Sequence, residues 1–123
     1  MTRDFELIRK LLFFFEAREK SEYIESPDIN GYESAFIRYH CRLLYDAGFL
    51  RCEPVTSSTS DRVIRVLCFE LTWDGHEFLE KIRTDTMWKK INDYAFDKGI
   101  PLSFSVVSGV AQHWIKTELF TNA

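Results

Sequence analysis

The chain has 123 residues and a net charge of −3; that length predicts one domain, and the acidic balance weighs against a dedicated nucleic-acid binder, because phosphate neutralisation rewards a basic surface. An apolar fraction of 46 % supports a real core, and eleven Phe, five Tyr and three Trp supply large rings for it. Cys41, Cys52 and Cys68 stand apart with no CxxC pair, an odd set that reads as buried thiols in a reducing cytoplasm. The most apolar run, Leu11 to Phe15, is too short to span a membrane and no cleavage site follows it. A cytoplasmic protein without a membrane partner is expected.

Asp4 to Lys20 predicts the first helix, with Phe5, Ile8, Leu11, Leu12 and Phe15 on one face and Leu7 and Phe14 at its edge. Phe13 falls on the polar side with Glu6, Arg9 and Glu16, so something must cover it, in the chain or outside it. Ser21 to Gly31 carries an extended piece, Tyr23-Ile24-Glu25, followed by turn signals at Pro27, Asn30 and Gly31. That leaves room for a single helical turn at most. Glu33 to Ala47 predicts the central helix. Ile37, Cys41 and Leu44, widened by Phe36, His40, Leu43 and Ala47, form its apolar back, and Arg38, Arg42 and Tyr45 lie on the other side. Gly48 suits a left-handed helix stop.

Leu50 to Pro54 predicts a strand, Val55 to Asp61 a polar loop, and Arg62 to Leu71 a second, longer strand. The second strand is apolar on both faces: Val63, Leu67, Phe69 and Leu71 on one, Ile64, Val66 and Cys68 on the other. Both faces therefore require a covering layer, for which the remaining helices are the candidates. Thr72 is placed to cap the next helix, with Asp74 in its first turn and Phe78, Leu79 and Ile82 as the buried stripe. Gly75 in that first turn points to close approach of a neighbouring backbone. Asp85 to Lys98 predicts a further helix with Met87, Trp88, Ile91, Tyr94 and Ala95 on one side, broken by Gly99 and Pro101. Ser103 caps a last helix running to about Phe120, with Val106, Val107, Val110, Ala111, Trp114 and Ile115 aligned. Trp73, Trp88 and Trp114 are expected to pack in the core.

The segments RDFELIRKLL, IRYHCRLLYDAGFL and above all LTWDGHEFLEKIRTDTMW resemble the bacterial and phage family known as domain of unknown function 2513. The resemblance runs from about Arg3 to Leu119. It implies a winged-helix-like fold and a phage or prophage setting, and it brings no catalytic residues. The LTxxGxxFL junction is also similar to the hairpin-to-helix junction of winged-helix regulators, from which this chain departs in lacking a full helix before the central one.

The residue chemistry points away from catalysis. His76, Glu77 and Glu80 resemble a zincin helix only superficially, since Glu80 stands where the second His belongs, and Asp74 does not complete a ligand set. His40 lies on the apolar stripe with no nucleophile and carboxylate in register, so a core histidine bonded to backbone is expected. No Gly-rich phosphate loop or paired-carboxylate signature occurs. The expectation is a non-enzyme without metal or cofactor.

Together these readings predict an α+β, winged-helix-like domain, mostly helical, with a two- or three-stranded antiparallel sheet. Its core spans about residues 4–84 and a helical extension about 85–120. Two functions stand open. One is DNA binding and transcriptional regulation on double-stranded DNA through Arg38, Tyr39, Arg42 and Tyr45, with Arg62 and Arg65 at the wing. Asp46, Glu53 and Asp61 sit close to these in sequence and dilute the patch. The other is a protein-interaction module that engages a host or anti-phage defence protein, favoured by the acidic charge, the missing helix and Phe13. The C-terminal helices offer a homodimer surface in either case.

Overall fold

A computed structural model describes residues 1–121. The protein is α+β and mostly helical: α1 Phe5–Ala17, α2 Ser34–Asp46, β1 Leu50–Thr56, β2 Val63–Leu71, α3 Trp73–Ile82, α4 Asp85–Lys98 and α5 Phe104–Thr121. The chain divides into two compact units, Met1–Glu77 and a second that begins at Phe78, within α3.

In the first unit, α1 packs on α2 and on β2, and α2 packs on both strands. Asp4 caps α1 by accepting the Leu7 N–H at 3.1 Å. Phe5, Leu7, Ile8, Leu11, Leu12 and Phe15 are buried, so Leu7 belongs to the core face and not to its edge. The helix stops at Ala17, three residues before the expected end, because Arg18 turns extended and its guanidinium donates to the Phe69 carbonyl at 3.2 Å. Phe13 is half-buried, with the Arg9 guanidinium 5.1 Å from its ring centre. Its cover comes from the chain itself.

No helix intervenes between α1 and α2. The Tyr23-Ile24-Glu25 piece instead reaches the sheet, where Ile24 exchanges both backbone hydrogen bonds with Cys68, at 2.8 and 2.9 Å. β1 and β2 pair antiparallel from Leu50 opposite Leu71 to Thr56 opposite Val63, with irregularities after Arg51 and after Val55. The Ser57 N–H to Arg62 carbonyl bond, 2.8 Å, closes the turn between them. Val66, Cys68 and Leu71 are buried, and Leu67 and Phe69 are half-buried. Ile64, expected in a buried row, is 46 % exposed, because the outer end of β2 near the turn runs past its cover.

Gly48, at φ 81°, turns the chain from α2 into β1. Thr72 then caps α3, its hydroxyl accepting the Gly75 N–H at 3.1 Å and donating to the Gly48 carbonyl. Gly75 lies against Phe49, whose carbonyl oxygen a Cβ at that position would overlap. Trp73 departs from the expected core packing and is 77 % exposed. At about 100° per residue it points roughly opposite the Phe78, Leu79 and Ile82 stripe.

In the second unit, α4 and α5 pack together. Thr84 caps α4 through the Met87 N–H at 3.1 Å, and Gly99, at φ 64°, ends it. Ser103 accepts the Val106 N–H at 3.1 Å and so starts α5. Trp88, Ile91 and Ala95 of α4 and Val107, Val110 and Ala111 of α5 are buried. Tyr94 and Ile115, aligned with those stripes in sequence, are exposed. Trp114 is half-buried beneath the Lys90 ammonium, 4.5 Å from its ring centre.

Candidate nucleic-acid interface

The polar side of α2 and the outer end of β2 meet at a recess of about 200 Å³ lined by Glu25, Arg38, Arg42, Ile64, Arg65 and Val66. Arg38 and Arg42 share it because four residues make about one helical turn. Arg65 reaches it from the strand. Three of the six arginine and tyrosine candidates therefore converge there, although the strand lies far along the chain from α2.

The side chains are held to different degrees. The Arg42 guanidinium donates to the Ile64 carbonyl at 3.1 Å and lies 5.7 Å from the Tyr39 ring centre. The Tyr39 hydroxyl donates to the Met1 carbonyl at 3.2 Å, so Tyr39 supports Arg42 and borders the recess without lining it. Arg65 pairs with Glu25 at 3.3 Å. Arg38 is exposed and has no ion pair among the described residues. Arg62 is exposed at the hairpin turn, its backbone N–H bonded to the Ser60 hydroxyl at 3.3 Å, and it lies outside the recess. Tyr45, half-buried a turn further along α2, also lies outside.

The carboxylate that lines the recess is Glu25, paired with Arg65. The bridge at Ile24 causes this, since it sets the next residue beside Arg65 on the same edge of β2. Three guanidinium groups against one carboxylate leave a local excess of positive charge on a protein of net charge −3. Such a cluster suits anionic oxygens, which guanidinium groups bind through charge-assisted hydrogen bonds. Glu25, Ile64 and Val66 were not expected at this site. The one sequence signal that could have found them was the short extended Tyr23-Ile24-Glu25 piece, whose pairing partner a sequence does not state.

Behind this face, His40 is wholly buried. Its Nδ1–H donates to the Phe36 carbonyl at 2.9 Å and its Nε2 accepts the Asp4 N–H at 2.8 Å. Both ring nitrogens are used, which makes His40 the backbone-bonded core histidine the sequence predicts. On α3, Glu80 accepts from the Arg83 guanidinium at 2.6 Å. Among the described residues no cluster of three or more His, Cys, Asp or Glu side chains is arranged to hold a metal ion. Nor is any described helix long and apolar enough to cross a membrane.

The family model described as "Hypothetical protein (DUF2513)" matches residues 2–101. A Haemophilus influenzae protein named "Uncharacterized protein" is 34 % identical over 113 residues, which span 91 % of this chain and 93 % of the relative. No solved structure matches.

Proposed function

The chain belongs to the DUF2513 family, and from that premise we propose that it is a non-enzymatic, winged-helix-like protein that binds duplex DNA through α2 and the β1–β2 hairpin. One observation carries the reading: Arg38 and Arg42 of α2 and Arg65 of β2 line a single recess. The element order also supports it. A helix, an extended bridge at Ile24, a helix, two antiparallel strands with an exposed turn and a further helix follow the winged-helix order without its second helix. In this reading α2 takes the place of the recognition helix and the Ser57–Arg62 turn that of the wing. Arg38, Arg42 and Arg65 contact phosphates, Tyr39 and Tyr45 flank them, and Arg62 reaches the backbone from the turn.

A gel shift tests it. Wild-type protein should retain a duplex at low salt, and Arg38→Glu combined with Arg42→Glu should abolish retention. No retention by the wild type under those conditions would remove the proposal. Phage or prophage origin is part of the same proposal, and a gene lying apart from phage genes would count against it.

A second reading is kept for one observation, the exposure of Trp73 at 77 % at the start of α3. Exposed tryptophans serve as anchors in protein interfaces. In this reading the protein engages a host or defence protein, or a second copy through α4 and α5. A partner bound in fixed stoichiometry by the wild type and lost in Trp73→Ser would support it. A monomer in sedimentation would end the homodimer version.

A further inference from the structure

The sequence scatters three cysteines, and the fold collects them. Cys52 of β1 lies directly opposite Cys68 of β2 in the antiparallel register. The backbone N–H and carbonyl of Cys68 are both turned to Ile24, on the edge away from β1. Cys52 and Cys68 therefore form a non-hydrogen-bonded pair, the kind in which facing Cα atoms approach to about 4.5 Å and side chains are closest. That spacing lies within the range of about 4.4–6.8 Å that a disulfide spans. Cys41 of α2 approaches the same thiol from the helix layer, and both Cys41 and Cys52 lie near enough to Cys68 to shift its ionisation.

The three thiols differ in access and in charge. Cys41 and Cys68 are buried, whereas Cys52 is half-exposed. Hydrogen bonds from Cys41 and then Cys52 hold Cys68 below the ordinary thiol value, and the Arg18 cation adds to the effect against the opposing cost of burial. Arg18 is anchored next door, on the Phe69 carbonyl. Cys41 and Cys52 are pushed up, first by their hydrogen bonds to Cys68 and then by burial. Of the three sulfurs, only that of Cys52 is partly open to solvent.

We propose that Cys52 and Cys68 are an oxidisable dithiol that a hydroperoxide converts into a cross-strand disulfide, with Cys41 left reduced. The Cys68 thiolate takes the Cys52 proton as the Cys52 sulfur attacks one peroxide oxygen. The O–O bond breaks, and hydroxide or alkoxide leaves and takes up a proton from solvent. Cys52 becomes a sulfenic acid. Cys68 sulfur then attacks Cys52 sulfur, the S–O bond breaks, and the oxygen departs as water with the Cys68 proton. Two thiols lose two electrons, and the peroxide gains them. The product ties β1 to β2 near the end of the ladder away from the hairpin turn, and this site does not depend on DNA binding.

The folded full chain is treated with hydrogen peroxide, then denatured, alkylated and digested without reduction for mass spectrometry. The expected result is a fall from three alkylated thiols to one, a Cys52–Cys68 linked peptide, and alkylation at Cys41. In Cys52→Ala, whose changed side chain is half-exposed, the linked peptide should be lost while the far-UV circular dichroism is kept. Three alkylated thiols after peroxide, a Cys41–Cys68 linkage in the wild type, or linkage only between chains would each overturn the proposal. Peroxide treatment of the urea-unfolded chain provides the reference, and equal yields of the Cys52–Cys68 link in both states would show that the fold does not direct it.

Discussion

His40 shows how a single buried polar residue ties the start of the chain to its central helix. Its Nε2 accepts the Asp4 N–H, and its Nδ1–H is held by Phe36 within α2. Burial pushes its pKa below the ordinary value, while the Phe36 carbonyl and the Asp4 carboxylate work the other way. Protonating Nε2 would set one donor against another at the Asp4 N–H. The native state thus binds the proton less readily than the unfolded chain, whose histidine titrates near about 6.5. Stability from this residue is complete above that value and is lost as pH falls through it towards the lower folded value. We expect the urea midpoint to drop between about pH 7.5 and pH 5.5, and the drop to shrink in His40→Gln, whose amide can both donate and accept. An unchanged midpoint in the wild type would show that His40 protonates without penalty. Gly75 is fixed as tightly by a steric cause: Gly75→Ala drives a methyl into the Phe49 carbonyl and should cost about 1–3 kcal/mol in denaturant titration.

Among the elements, those with strong end signals were legible. Asp85 to Lys98 was read to the residue, because Gly99 ends the helix in a left-handed turn and Pro101 follows. Thr72 and Ser103 were recognisable as caps for the same local reason, a hydroxyl three residues before an N–H that needs an acceptor. Thr72 also bonds the Gly48 carbonyl, so it joins the end of α2 to the start of α3. Thr72→Ala should therefore cost about 1–2 kcal/mol, at the upper end for a helix cap, and Thr72→Ser should restore most of it. Equal stability of the alanine variant and the wild type would deny the cap this second role. The end of α1 falls short of the run its apolar spacing predicts because Arg18 is drawn off the helix by the Phe69 carbonyl, a partner 51 residues away. Trp73 is exposed and not in the core, because a count of aromatics does not say which side of a helix faces inward.

For the molecule as a whole, net charge and local charge disagree. The chain is acidic at −3, yet Arg38, Arg42 and Arg65 share one recess with a single carboxylate. If those three and Arg62 each neutralise one phosphate, log K should fall against log salt with a slope of about −3.6, from about 0.9 per contact. Arg65→Gln should reduce that slope by about one, and it frees Glu25 to weaken binding further. A slope near zero for a bound duplex would mean that these arginines do not meet phosphate. If this face binds DNA as proposed, the net charge of −3 opposes it, and affinity should be weak at physiological salt.

The order of helices and strands, the caps and glycine stops, the burial of His40 and the absence of a full helix before α2 are all encoded locally along the chain. These follow from periodicity and from hydrogen bonds that span three or four residues, which neighbouring side chains decide. Tertiary structure alone decided that Ile24 pairs with Cys68, that Glu25 therefore neutralises Arg65, and that Cys41, Cys52 and Cys68 meet at one point. Each of these depends on the register of β2 between two neighbours. That register is set by the summed packing of α1, α2 and β1 on the strand, and no local stretch of the chain encodes it.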